Sequence, residues 1–338
     1  MYTGQKYLPG KPAMSLRLQS VHERSNNVCA DQNFAGSVRR RQSLTKMNSG
    51  QSSEPDSHFM REQALVQLRR QKRLRDICRQ HPLAAQEVRH ASQVFILEKT
   101  KILYCSLPKT GSTNWKRAFM VLEGVRSNVA NISAYDAHWQ NDFELLAHTH
   151  LLDRLRSHSL YTKFLHVRHP FARLISAYRD KISGEATREG QDPKFTDIAV
   201  YIVRKYRKGA GGEDFDPNTI HVTWGEWIQY LTDPTELSRF DPHWREMYKL
   251  CLPCRVNYDV VAKLETVESD SRFLLNYLEL KQLSFPSSAH RYPSHDEKKG
   301  DKLVEQYFGN MSRSNFQRLY NIYKLDFELF GYEKPFLF

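Results

Sequence analysis

The chain has 338 residues, 40% hydrophobic and 12% aromatic, which is enough apolar material for one substantial core with an appendage. Fifty Lys and Arg against 38 Asp and Glu give a net charge of +12, so the surface field attracts polyanions, whether nucleic acid, anionic lipid, glycan or nucleotide phosphate. No stretch approaches the roughly 18 uninterrupted apolar residues of a membrane span, and the opening residues lack the apolar centre of a secretion signal, so nothing in the sequence as written carries the chain into a membrane or a lumen.

Residues 1–57 are rich in Ser, Asn, Gln, Arg and Gly without a sustained period of 2 or 3.6, so disorder is expected there. Residues 58–93 contain the run FMREQALVQLRRQKRLRDICRQ, with Leu65, Leu68, Ile77 and many arginines before a stop at Pro82. That composition predicts a basic helical stem, read as a solvated charged helix without a ligand.

The compact domain is placed at 94–338. Apolar residues crowd 102–107 as a short buried strand, PKTGS breaks the run, and TNWKRAFMVLEG reads as a helix ending at Gly124. A second unit of the same kind covers 163–183: KFLHVR as strand, His169-Pro170 as turn, and FARLISAYRDKIS as amphipathic helix. Further helices are expected at 196–208, at 223–232 with Thr223 and Glu226 in capping-box spacing, and at 266–280, with YDVVAKLE as a buried strand before the last. Phe316, Leu319, Tyr320, Tyr323, Phe327 and Phe330 recur at helical spacing and predict one packed face of core. Strands alternating with helices predict an α/β fold, a P-loop-like parallel sheet flanked by helices.

The first strand-loop-helix places Lys109, Gly111, Ser112, Thr113 and Asn114 where loop N–H groups and the positive end of a helix converge, the outline of a phosphate site. It lacks the GxxxxGK[ST] order in which lysine precedes the residue that holds magnesium, so a loop gripping phosphate without a metal is a better reading than a triphosphatase loop, and on this segment alone an ordinary strand-to-helix turn with a solvated lysine has equal weight. In the second unit Arg168 ends the strand, Pro170 sets the turn, and Arg173, Ser176 and Arg179 follow at i, i+3 and i+6. Guanidinium with a serine hydroxyl suits a phosphate monoester, because it binds such oxygens in bidentate fashion. Arg179 and Lys181 also read as plain solvated helix residues.

SLPKTGSTNWKR and VRHPFARLISAYRDK resemble the 5'-phosphosulfate and 3'-phosphate motifs of the Golgi carbohydrate sulfotransferases, in the branch of the chondroitin and dermatan 4-O-, GalNAc-4-O- and HNK-1 sulfotransferases. DPHWREMYKLCLPCRVNYDVVAKLET at 241–266 and LYNIYKLDFELFGY at 319–332 resemble the same branch, in the expected order. The resemblance implies the sulfotransferase fold, PAPS (3'-phosphoadenylyl sulfate) as co-substrate without a metal, and a glycosaminoglycan or glycoprotein glycan as acceptor. GalNAc 4-O of chondroitin or dermatan leads, and a glucuronyl 3-O position of the HNK-1 type is the alternative. It also implies a luminal catalytic domain on a Golgi membrane, although the sequence shows no anchor.

Carried over by residue, Pro108, Lys109, Thr110, Gly111, Ser112, Thr113 and Asn114 hold the 5'-phosphosulfate, with Lys109 against the bridging oxygen. Arg168 and Ser176 hold the 3'-phosphate, and Arg173 supports the turn formed with His169 and Pro170. His169 departs from the acidic residue common between Arg and Pro in these proteins, which bears on nucleotide affinity. A general base must take the acceptor proton; His243 in DPHW, His148 or His150 in AHTHL, and Glu265 are the candidates.

Cys251 and Cys254 form a CxxC without the further ligands zinc needs, and it leads into a strand where a redox motif opens a helix. A disulfide role is expected, with Cys78 or Cys105 as distant partners and the pairing open. Sequons stand at Asn131-Ile-Ser133 and Asn310-Met-Ser312. Two rival readings remain. A P-loop kinase or nucleotidase lacks its GK[ST]. A basic protein binding polyanions through residues 1–90 shows no RNA-binding signature, so no nucleic-acid partner is expected.

Overall fold

Five short strands form one mixed sheet in the computed structural model, which describes residues 54–81, 93–146, 155, 157–184, 192–209, 220–280, 285 and 297–335. The expectation of disorder concerns residues that, up to 53, lie outside this set. In chain order the elements are α1 (Glu54–Gln80), β1 (Val94–Leu97), β2 (Ile102–Cys105), α2 (Ser112–Leu122), α3 (Ala134–Trp139), β3 (Glu144–Leu145) and β4 (Thr162–Val167). There follow α4 (Pro170–Ala177), continued by a π turn at Tyr178–Ile182, α5 (Pro193–Tyr206), α6 (Trp224–Thr232), α7 (Met247–Cys251) and α8 (Pro253–Val256). The chain closes with β5 (Val260–Lys263), α9 (Val267–Tyr277), α10 (Glu297–Phe308) and α11 (Arg313–Phe330).

The sheet order is β3-β1-β2-β4-β5. β2, β4 and β5 run parallel, as the alternation of strands and helices predicts, but β1 is antiparallel to both β2 and β3. Only residues 98–101 separate β1 from β2, too few for a crossover, and Lys101 takes a left-handed conformation with φ 55°. Glu123, at the end of α2, accepts the Lys99 and Thr100 N–H groups of that turn, both at 2.9 Å.

Every residue of β2 is buried, because both faces of the sheet are covered. Leu103, Cys105, Leu165, Val167 and Val261 face Met247, Leu250, Leu329 and Phe330, whereas Ile102, Tyr104, Phe164 and Val260 face Trp115, Phe119 and Phe273. A separate core joins α4, α5, α6, α10 and α11, with Phe316, Leu319, Tyr323 and Phe327 supplied by the aromatic stripe. The capping box of α6 forms as its spacing predicts: Glu226 N–H donates to Thr223 Oγ1 and Thr223 N–H donates to Glu226 Oε2.

α1 corrects the solvated-stem reading. It covers the outer edge of β5, where Gln67 Oε1 accepts Val261 N–H at 2.9 Å, Arg70 Nη1 donates to Val261 O at 2.7 Å, and Gln71 donates to Asp259 O. Arg70 and Gln67 also meet Asp270 at the start of α9, a fully buried carboxylate that accepts Lys263 N–H as well. A strand edge left open offers unpaired backbone groups to other chains, and polar side chains of a helix close this one.

Both cysteines of the CxxC are in disulfides with the expected distant partners. Cys78 of α1 pairs with Cys254 of α8, and Cys105 at the end of β2 pairs with Cys251 of α7.

Candidate active site

β2 and β4 are adjacent and parallel, so the two loops that follow them leave the same edge of the sheet, the usual place for a ligand in an α/β protein. The first loop turns on backbone conformation: Lys109 has φ 70° and Gly111 φ 84°. A Cβ at Gly111 would stand 3.3 Å from Leu264 and 3.6 Å from the His166 ring, so glycine is required both for φ and for this close approach. Thr110, fully buried, donates its hydroxyl to Leu107 O at 2.9 Å and closes the loop. No side chain caps α2, so its first turn, with Ser112 buried and Thr113 and Asn114 half-buried, offers its positive end to an anion.

The second loop is built from side chains. Pro170 opens α4, and His169 caps it by accepting Ala172 N–H on Nδ1 at 3.3 Å. Burial, then the nearby Arg168 and Lys263, push the His169 pKa down to about 3, so the ring stays neutral and keeps that lone pair. Glu265, offered by the sequence as a base, accepts His169 N–H at 2.7 Å and the Tyr332 hydroxyl at 2.9 Å and so works as an anchor. Arg168 is buried and donates from Nη1 to Lys109 O at 3.2 Å, which ties the two loops together. Arg173 is 1% exposed and committed to backbone: it donates to Pro108 O at 3.0 Å, Arg245 O at 2.8 Å and Pro242 O at 2.5 Å. It staples the first loop to the 240s segment. Ser176 is half-buried near the end of α4.

Lys109 and His243 lie near enough for the charge of one to bear on the other. Lys109 Nζ lies 2.8 Å from Asp180 Oδ2, which also meets Lys181 at 3.3 Å. Burial lowers the Lys109 pKa and Asp180 opposes the shift. His243 Nδ1 lies 2.6 Å from Asp241 Oδ1, leaving Nε2 for another partner. Burial lowers the His243 pKa, Asp241 raises it, and Lys109 and Lys181 lower it further, which places these cations beside the ring. Burial alone would raise Asp241, yet the hydrogen bond from His243 and the charge of Lys194 bring it to about 2. His148 and His150 lie outside the described residues.

Sequence reasoning missed His138, Asp180 and Lys116. His138 on α3 has Nε2 3.1 Å from Thr113 Oγ1 and Nδ1 3.5 Å from Lys116 Nζ. The residue is solvent-accessible, but partial burial of its ring, then Lys116, His243 and Lys181, hold its pKa well below the usual histidine value. Lys116 is buried, and its pKa falls to about 8 for that reason. The one local signal was the Ser133/Asp136 capping box that starts α3; nothing local told that α3 would return against α2.

A tight loop and uncapped helix start after one strand, joined to a buried-arginine turn after its parallel neighbour, define an α/β domain of the sulfotransferase type. The pattern of the Sulfotransferase family matches residues 92–333, and the chain belongs to that family. It is similar to human carbohydrate sulfotransferase 9, 36% identical over 277 residues covering 80% of this chain and 61% of the relative. Human carbohydrate sulfotransferase 8 is 36% identical over 249 residues, 73% of this chain and 57% of the relative. Mouse carbohydrate sulfotransferase 12 is 32% identical over 321 residues, 84% of this chain and 72% of the relative. The chain thus spans about six tenths of the length of the first two. No solved structure matches it.

Proposed function

We propose that the chain transfers a sulfuryl group from PAPS to a sugar hydroxyl of a glycan. The observation that carries this reading is the junction of the two loops: the Arg168 guanidinium donates to the backbone carbonyl of Lys109 at 3.2 Å, so the two motifs adjoin at one sheet edge and suit opposite ends of one doubly phosphorylated adenosine. In this reading Lys109 and the first turn of α2 take the 5'-phosphosulfate, and Arg168 and Ser176 take the 3'-phosphate. His243, oriented by Asp241, removes the proton from the acceptor hydroxyl at Nε2. The hydroxyl oxygen bonds to sulfur as the bond from sulfur to the bridging phosphate oxygen breaks, and Lys109 neutralises the charge that builds on that oxygen. The products are the sulfated sugar and 3',5'-adenosine bisphosphate (PAP).

The acceptor we favour is the 4-hydroxyl of GalNAc in chondroitin- or dermatan-type chains, with a glucuronyl 3-hydroxyl as the alternative; excess positive charge suits an anionic polymer. A Golgi-luminal setting is supported by the two disulfides, which persist in oxidising compartments, and by the exposure of Asn131 and Asn310. Glycan on either asparagine of the secreted-pathway protein would establish the compartment.

The test is transfer of radiolabelled sulfate from PAPS to desulfated chondroitin, desulfated dermatan and a glucuronyl-terminated acceptor. Turnover with the first two, lost by about 10²- to 10⁴-fold in His243→Ala, is expected. Because His243 sits below its ordinary pKa and works as the neutral form, the acid limb of the rate should fall below pH 6.5. Binding of ATP in preference to PAP would overturn the reading in favour of a kinase. Removal of residues 1–53 leaves α1 on β5; PAP binding should survive, whereas a polyanion binder working through that segment would lose its ligand.

A further inference from the structure

Two of the large apolar side chains left exposed among the described residues belong to one short helix: Tyr135 is 63% and Trp139 70% exposed, both on α3. Tyr135, His138 and Trp139 stand at i, i+3 and i+4, so they share one face of that helix. His138 is the member that reaches the site, through Thr113 at the start of α2. The aromatic pair therefore borders the site that holds Lys109 and His243.

α3 is held rigid for its length. The Ser133/Asp136 capping box fixes its start, Arg117 Nε donates to Ile132 O at 2.8 Å just before it, and Ala137 is buried. At its end Asn141 Nδ2 donates to the carbonyls of Ala137 at 3.0 Å and His138 at 3.2 Å. A preorganised aromatic face loses little entropy when a ligand settles on it. Paired exposed rings beside a site are an interaction surface more than ordinary surface scatter.

We propose that Tyr135 and Trp139 are the acceptor platform, on which the sugar ring next to the one being modified lays its C–H face. The occupant is an anionic glycan chain. Aromatic rings offer such a ring a flat apolar partner while its hydroxyls stay in water, and the basic excess of the chain, with Lys181 among the cations whose field bears on His138, draws its acidic groups to the same side. Position decides between this occupant and another: the same helix face carries His138, which meets Thr113 at the start of α2, where the phosphosulfate is proposed to sit. The inference rests on the sulfotransferase reading and adds which residues choose the acceptor.

The test compares wild type with Trp139→Ala, Tyr135→Ala and Trp139→Phe, using desulfated chondroitin oligosaccharides and PAPS. Trp139→Ala should raise the acceptor KM by about tenfold or more, as truncation of an interface tryptophan does. The KM for PAPS and the calorimetric affinity for PAP should not change, and Trp139→Phe should recover most of the loss. Tryptophan fluorescence of the PAP-bound wild type should shift on adding oligosaccharide, and the shift should be lost in Trp139→Phe. If wild type turns over but both alanine variants keep its acceptor KM, the platform is refuted and the function stands. If wild type binds no PAP, the functional reading fails and the platform with it. A fall in oligomer size in Trp139→Ala by sedimentation, with acceptor KM unchanged, would reassign the face to a second copy of the chain.

Discussion

The two loops at the carboxyl edge of the sheet hold their shapes by opposite means. After β2 the backbone does the work: two left-handed residues, a buried threonine hydroxyl turned back on Leu107, and a helix start without a side-chain cap. After β4 side chains do it: Pro170 and His169 start the helix, Glu265 holds the turn from β5, and two arginines are buried within five residues of each other. A backbone cradle is suited to moving charge, since its donors can point where charge develops. A buried guanidinium such as that of Arg168 is suited to holding a fixed charge, since the cation is already desolvated. The first loop should therefore govern rate and the second nucleotide affinity.

Lys109→Ala and Arg168→Ala test that division most severely. Loss of Lys109 should lower kcat by about 10²- to 10³-fold with PAP affinity little changed. Loss of Arg168 should weaken PAP binding by about 10²-fold, in the range seen when one partner of a desolvated charge pair is removed. Initial rates at saturating PAPS and calorimetry with PAP separate the two, and equal effects of both substitutions on both quantities would erase the distinction. Arg173→Ala should instead unfold more readily, by about 3 kcal/mol, because three backbone carbonyls lose a buried charged donor at once. Urea denaturation with an unchanged slope would show it, and Arg173→Lys should not restore it, since one ammonium cannot span three carbonyls in the guanidinium's plane. Gly111→Ala should cost about 1–2 kcal/mol from its left-handed φ. Its methyl would also press on Leu264, so PAP affinity should fall several-fold in the same titration.

How much of this was legible depends on how local each signal was. The strands of the parallel core read directly because both faces are buried and their sequences are unbroken apolar runs, as in 102–105. Lys109 and Arg168 stood out as candidates because each sits next to such a strand, at a break marked by Gly111 or Pro170. No strand was expected at 94–97, so the antiparallel β1 is an addition to the predicted parallel sheet, and the shortness of 98–101 is what forbids a crossover to β2. α1 was misjudged because Gln67, Arg70 and Gln71 count as polar, yet their polar groups are spent on the backbone edge of β5 nearly 200 residues away. Asp180 and His138 were invisible for the same reason: Asp180 meets Lys109 across 71 residues and His138 meets Thr113 across 25. The CxxC was legible as a disulfide motif, but its pairing became readable only when α1 and β2 were placed beside α8 and α7.

His169 is the smallest and sharpest test of the second loop. It stands where the family resemblance implies an acid, and its Nδ1 lone pair accepts Ala172 N–H, the task a carboxylate at the same cap would perform. His169→Asp should therefore keep PAP affinity within about threefold, while His169→Ala should lose about 1 kcal/mol of stability with the cap. The pH dependence separates imidazole from carboxylate. The folded pKa, near 3, lies below the unfolded value of 6.5, so the unfolded chain binds the proton first as pH falls. The stability from this neutral ring is complete above pH 6.5 and drains away from 6.5 toward 3. An aspartate between Arg168 and Lys263 stays charged over most of that window. Thermal melts of the two proteins should then diverge in favour of His169→Asp between pH 6.5 and 5, and parallel melts would mean that the ring is protonated in the fold and that Ala172 is capped by something else.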